Sequence, residues 1–192
     1  MLKPIRTEEP ATTPVSLDEL KAQLRVQSND ENVVLQSYLD AATGWLDGYA
    51  GVLGRCLISQ GWSLSFPAFD VCLRLPFPDV SEVTISYVDL AGSAQTVDEN
   101  DYQLLEDAAG AFVTFVAGFA VPSTFMRPDA VTVTIVAGYG DGAGDVPAPL
   151  RSAILLYAAH LYRNREAVSA DTLTAIPLGV DALIQPFRRM GV

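Results

Sequence analysis

Histidine occurs once in the 192 residues, at His160, and cysteine only twice, at Cys56 and Cys72. A single histidine leaves no histidine-rich zinc site, and a catalytic triad or histidine base–nucleophile pair would have to run through that one ring. Two cysteines without CxxC spacing read as buried thiols of a reducing compartment. Cationic residues are also scarce: 12 Lys and Arg face 23 Asp and Glu, for a net charge of −11. Such a surface repels nucleic-acid phosphates, which argues against sequence-specific DNA binding but not against a channel that DNA slides through. No apolar run approaches the ~20 residues of a membrane span, and the N-terminus lacks the basic–apolar–small pattern of a signal peptide. A soluble protein made in a cytoplasm, with no membrane partner, is expected. Internal repeats and low-complexity tracts are absent.

What the chain does have is apolar side chains, 49% of the total, enough for a sizeable core. The strongest pattern runs from Pro147 to Val168. Pro147 and Pro149 suit a helix start, where the first N–H groups have no intrahelical acceptor. Leu150, Ile154, Tyr157, Ala158, Leu161 and Tyr162 then recur at helical spacing. Arg163 and Arg165 fall in the last turns, which the macrodipole favours. Upstream, Ser16-Leu-Asp-Glu19 and Ser28-Asn-Asp-Glu31 both read as capping boxes. The first opens a short helix bearing Leu17, Leu20 and Leu24. The second opens one whose apolar face takes in Val34, Leu35, Tyr38, Leu39, Ala42, Trp45, Leu46 and Tyr49, with Gly51 as a stop.

From Arg55 the period changes to two. Trp62, Leu64 and Phe66 alternate with serines; Val71, Leu73 and Leu75, then Val83, Ile85 and Tyr87, then Val131, Val133 and Ile135 do likewise. Half-buried strands of an antiparallel sheet follow. Ala111–Val116 reads as a further strand, and residues 117–130, with Pro122 and Pro128, as a loop. The expected fold is α+β: a helical bundle from N- and C-terminal helices with an inserted antiparallel β module. Its divisions are an extended N-terminal arm without folded structure (1–15), the bundle (16–54 plus 145–168), the β module (55–144) and a C-terminal docking segment (169–192).

Candidate chemistry is thin. Gly138-Tyr-Gly-Asp-Gly-Ala-Gly144 lacks the Lys-Ser/Thr of a phosphate loop. Asp141 and Asp145 lack the terminal Glu of a calcium loop, so the stretch reads as a hinge. Asp98, Glu99 and Asp101 read as a solvated loop tip, and Asp70 and Asp79 make no arguable acid–base pair. Trp45 and Trp62 read as core. No catalytic, cofactor-binding or metal-binding residue is assigned. Past Ser169 the periodicity weakens, yet Ile176, Leu178, Val180, Leu183, Ile184 and Phe187 are apolar, and Arg188 and Arg189 follow. A disordered tail is poor in such residues. The segment reads as one that is mobile in the free subunit and orders on a partner, with a last short helix from near Gly179, interrupted by Pro186.

The order of these pieces resembles the head–tail connector (adaptor) proteins of long-tailed phages and of gene transfer agents. The resemblance rests on Val15-Ser-Leu-Asp-Glu-Leu-Lys-Ala-Gln-Leu-Arg-Val26, Leu39-Asp-Ala-Ala-Thr-Gly-Trp45, Gln60-Gly-Trp62 and Leu75-Pro-Phe-Pro-Asp-Val80. It continues through Arg127-Pro-Asp-Ala-Val-Thr-Val133, Ala137-Gly-Tyr-Gly140 with Val146-Pro-Ala148, Ile154 to Val168 with Asn164-Arg-Glu166, and Ile176-Pro-Leu-Gly-Val180 through Phe187-Arg188. It implies a virion protein that assembles with copies of itself as a ring, usually twelve-fold, beneath the portal. The ring joins the DNA-filled head to a stopper or other neck or tail protein, and DNA passes through without specific binding. By position, the resemblance puts Ile176, Leu178, Val180, Leu183, Ile184, Phe187, Arg188 and Arg189 on the portal. The competing expectations are a β-sandwich module that binds a sugar or host surface, and a small hydrolase.

Overall fold

The computed structural model describes residues 1–165 and 178–189. Its elements in chain order are β1 (Ile5–Glu8), α1 (Leu17–Leu24), α2 (Asn32–Leu46), β2 (Gln60–Phe66), β3 (Cys72–Arg74) and β4 (Val80–Val88). β5 (Ala94–Thr96), β6 (Tyr102–Asp107), β7 (Gly110–Phe115), β8 (Val131–Ala137), α3 (Ala148–Arg163) and α4 (Leu178–Ile184) follow. The protein is thus mixed α+β, with antiparallel sheets. It divides into two compact units. One holds Met1–Ala11 with Ser59–Tyr139; the other holds Thr12–Ile58 with Gly140–Arg189. Among the described residues the chain therefore crosses between units three times, after Ala11, Ile58 and Tyr139.

The helical unit begins at a cap that local sequence dictates. The Glu19 N–H donates to the Ser16 hydroxyl at 3.2 Å, and the Ser16 N–H donates to the Glu19 carboxylate at 2.8 Å. α1 ends where Arg25 turns left-handed at φ 59°. In α2 the buried residues are Leu35, Leu39, Ala42 and Leu46, spaced four, three and four. In α3 they are Leu150, Ala153, Ile154, Ala158 and Ala159. The two stripes pack together, with alanines admitting close approach and Trp45 tilted on Tyr157 at 4.8 Å between ring centroids. Asp47 ends α2, and its carboxylate accepts the Leu57 N–H at 2.7 Å. Gly51 follows because a Cβ there would overlap the carbonyls of Leu46 and Asp47.

The β unit holds two antiparallel sheets, ordered β1-β2-β8-β4-β5 and β3-β7-β6. β2 lies along β8 without a slip, pairing Trp62 with Ile135 and Leu64 with Val133. Leu64, Ile85, Val131, Val133 and Ile135 are buried on one face, and Leu73, Leu75, Phe77 and Val113 are buried as well. The two sheets are tied by the Tyr102 hydroxyl, which donates to the Val83 carbonyl at 2.7 Å. Phe69 also bridges them, edge-on to Tyr87 of β4 and to Phe115 of β7, both at 5.5 Å.

Several expectations need correction. Residues 5–8 of the N-terminal arm are a strand: β1 pairs with the edge of β2, Ile5 opposite Ser63 and Arg6 opposite Trp62. All four residues are exposed, so no apolar alternation announced them. The second capping box does not form. Ser28 turns to Asp30, whose N–H donates to its hydroxyl at 3.2 Å, and Glu31 caps α2 without a side-chain bond. Val34 and Tyr49 lie outside the buried stripe of α2, at 39% and 44% exposure, and Leu161 is only half-buried. Val71 lies outside β3 and is exposed. Trp45 is half-buried while Trp62 is buried, and Cys72 is half-buried while Cys56 is buried; neither cysteine forms a disulfide. The Gly138–Gly144 stretch is a fastened turn: Asp145 folds back so that its carboxylate accepts the Gly142 N–H at 2.9 Å. It also lies against Gly140, whose φ of 153° suits glycine.

Candidate assembly surfaces

Two long-range ion-pair clusters close the helical unit. Arg151 of α3 reaches Glu19 at 2.5 Å, so the capping carboxylate of α1 also binds α3. Its hydrogen bond from the Ser16 backbone N–H, with help from the Ser16 hydroxyl and Arg151, holds the Glu19 carboxyl below the usual range. Glu31 receives the Tyr162 hydroxyl and the Arg165 guanidinium, both at 2.5 Å. The Tyr162 bond and then Arg165 lower the Glu31 carboxyl, and the same bond raises the Tyr162 phenol. Arg165 also stacks over the Tyr162 ring at 4.6 Å.

The residues assigned to the portal by resemblance divide. Val180 and Ile184, one helical turn apart, are fully buried, and α4 packs on α3. They are spent inside the subunit, and their spacing of four was the sequence signal for that. Leu183, Phe187 and Arg189 are half-buried and Arg188 is exposed. The Arg189 N–H donates to the Leu53 carbonyl at 2.9 Å, so residues 185–189 are fastened to the helical unit. Ile176 and the side chain of Leu178 lie outside the described residues.

The sequence reading missed several outward apolar side chains. On the helical unit, Val33 is 83% exposed and Leu156 is 39% exposed. A shallow cleft of about 530 Å³ runs beside Val33, lined by Leu17, Asn32, Gln36, Ser37 and Asp40 as well. On the β unit, Phe125 is 47% and Met126 97% exposed. Only their position inside a proline-flanked loop, rather than in any periodic run, marked them in the sequence.

The described residues hold no group of three or more His, Cys, Asp or Glu that could bind a metal ion. His160 sits near the end of α3, its Nδ1 3.2 Å from the Asn164 amide. The acidic cluster is a turn: the Asp98 carboxylate accepts the Asn100 N–H at 2.9 Å to cap Glu99–Asp101. Among the described residues no helix is long and apolar enough to cross a membrane. What remains for recognition is surface.

Residues 14–66 match the family of phage gp6-like head–tail connector proteins. That span holds α1, α2 and β2, including the Ser16 cap and the buried stripe of α2. Known structures match from end to end. A chain in the neck of an empty gene transfer agent particle, computed with six-fold symmetry, is 27% identical with a TM-score of 0.79. The match covers 100% of this chain and 97% of that one. The chain is similar to the head–tail connectors. A chain of the virion of a native gene transfer agent particle is 26% identical with a TM-score of 0.77, over 100% and 97% of the two chains. A third, in a native particle's neck computed with twelve-fold symmetry, is 27% identical with a TM-score of 0.66, over 97% of each. No curated protein matches. The resemblance read from the sequence and the neck chains found by fold therefore point the same way.

Proposed function

We propose that this protein is a structural head–tail connector subunit in the neck of a phage or phage-like particle. The observation that carries the reading is the end-to-end likeness to neck chains, at a TM-score of 0.79 over the full length. The connector-family match at residues 14–66 adds to it. The neck structures were computed with six-fold and twelve-fold symmetry, which supports a ring of copies, twelve in number. In this reading the helical bundle and the β module together are the ring subunit. The ring stands beneath the portal and joins the DNA-filled head to a stopper or other tail-side protein. With a net charge of −11 the subunit presents carboxylates to the passing DNA and does not retain it.

For the portal contact we keep the C-terminal segment but change its character. Val180 and Ile184 anchor α4 to the bundle, and Leu183, Phe187, Arg188 and Arg189 form the outward edge that meets the portal. The test is co-sedimentation with DNA-filled, tail-less heads. Phe187→Ala with Arg188→Glu should abolish attachment while circular dichroism stays that of the parent. Attachment equal to the parent's removes this edge from the portal interface.

A further inference from the structure

The loop from 117 to 130 in the β unit holds an apolar surface in water on a rigid mount. The Phe125 N–H donates to the Val88 carbonyl at 2.9 Å, and Thr124 pairs with Asp89 as an isolated bridge. Below them the Asp89 carboxylate accepts the Ala91 and Ser93 N–H groups, each at 2.9 Å, which fixes the turn after β4. On the other side the Ala130 carbonyl accepts the Val88 N–H at 2.9 Å, and within the loop Arg127 grips Asp129 with two bonds, at 2.6 and 2.5 Å. Between these anchors Phe125 and Met126 project at 47% and 97% exposure. With Pro67, Thr124, Arg127 and Pro128 they line an open groove of about 560 Å³. A flexible loop could fold such side chains away; this one is fastened on both sides of them. Preorganised apolar surface is what a docking site needs, since little ordering cost remains at binding.

The charge pattern selects the occupant. Copies of a chain with net charge −11 repel one another. They meet at least cost where charge is locally compensated and apolar area is available. This groove meets both conditions: its single cation, Arg127, is neutralised by Asp129, and its remaining lining residues are uncharged. A strongly basic partner would gain nothing here that the acidic remainder of the surface does not offer better. We propose that the Phe125–Met126 groove is a subunit–subunit contact, occupied by a non-equivalent face of an adjacent copy of this chain. The inference rests on the ring reading above and gives that ring a contact in the β unit.

The test replaces Met126 with the photoreactive residue p-benzoylphenylalanine, irradiates assembled particles, and identifies the products by mass spectrometry. The expected product is this chain joined to itself. A product joining it to a different neck protein, or no product at all, overturns the proposal. Native mass spectrometry of neck complexes released from unmodified particles reads the copy number separately. A ring in that measurement with no self-product at position 126 therefore defeats the groove and leaves the connector reading standing, whereas a single copy per neck defeats both. As a second variant, Met126→Asp should lower incorporation into particles at least tenfold with unchanged circular dichroism, because a side chain so exposed has no folding role. Incorporation at the parent's level counts against the proposal.

Discussion

The helical unit and the β unit are fastened by polar contacts of opposite reach. In the helical unit Arg151 meets Glu19 and Arg165 meets Glu31, pairs separated by 132 and 134 residues. In the β unit Arg127 meets Asp129 two residues away, and Asp89 caps its own turn. Longer reaches occur there too: Arg74 crosses the small sheet to Asp107, and the Tyr102 hydroxyl joins the two sheets. The difference follows from where the chain supplies material. The helices come from both ends of the sequence and must be closed on each other. Apart from β1, the strands come from one continuous stretch whose ladders already close it, so several of its side-chain bonds are spent on holding loops in shape. Long-range ties therefore serve stability in one unit, and local ties serve the presentation of surface in the other.

The largest blow to the helical side of this contrast is a core truncation. Ile154 is fully buried in α3, and Ile154→Ala should cost about 2–5 kcal/mol in a urea melt through lost burial and a residual cavity. Leu161→Ala, at a half-buried site, should cost clearly less. Equal losses would mean that α3 buries a different face from the one described.

A smaller and more local effect is expected at Gly61. A Cβ there would stand 2.9 Å from the Glu8 Cβ, so Gly61→Ala should push β1 away from β2. Hydrogen exchange should quicken at Arg6 and its neighbours while protection within β8 is retained. Loss of protection throughout the β unit would make β1 part of its core and not a strand added at the edge.

Acid gives the third test. Glu19 and Glu31 are lowered on folding, so their contribution is complete above the ordinary carboxylate pKa. It is lost as pH falls through their lowered folded values. Melting temperature should drop between about pH 5 and pH 3, and in the double variant Glu19→Gln, Glu31→Gln the drop should be shallower. Asp107 and Asp129 are lowered as well, Asp107 to about 2 by its bond from Arg74, so the β unit retains part of the acid sensitivity in that variant. An identical slope in parent and variant would remove the long-range ties from the stability of the fold.

The smallest effect belongs to Asp129→Asn. An exposed pair between near neighbours contributes little, so no measurable shift in melting temperature is expected. A large one would mean that the loop is integral to the β core.

How much of this was legible in the sequence depended on reach. The Ser16–Glu19 cap, the α3 stripe and the alternation of β2, β4 and β8 are written in neighbours three or four residues apart, or two, and could be read. Ser28 and Glu31 had the same local pattern as Ser16 and Glu19. A partner 134 residues away decided the outcome, because Glu31 is bound to Arg165 and Tyr162. β1 and β5 are exposed at every position, so they carry no alternation; only the edges they pair with define them. β6 places Leu104 and Leu105 side by side, which blurs a period of two. For the assembly surface, the apolar count after Ser169 was informative. Whether those side chains served the subunit or a partner depended on α3 lying within reach of Val180 and Ile184.

The crossings between units, three among the described residues, carry a consequence for cutting the chain. A domain inserted at one place is joined by two linkers and can be excised like a cassette. Here β1 precedes α1 and α2 in the chain while its partner β2 follows them, so the two units are stitched rather than inserted. A protease that nicks the chain at any one crossing leaves both units still joined by the other two, and the nicked protein should migrate as one particle until it is denatured. The same stitching means that a β unit expressed from residue 59 onward begins without its edge strand, with the flank of β2 left open to any strand that comes by.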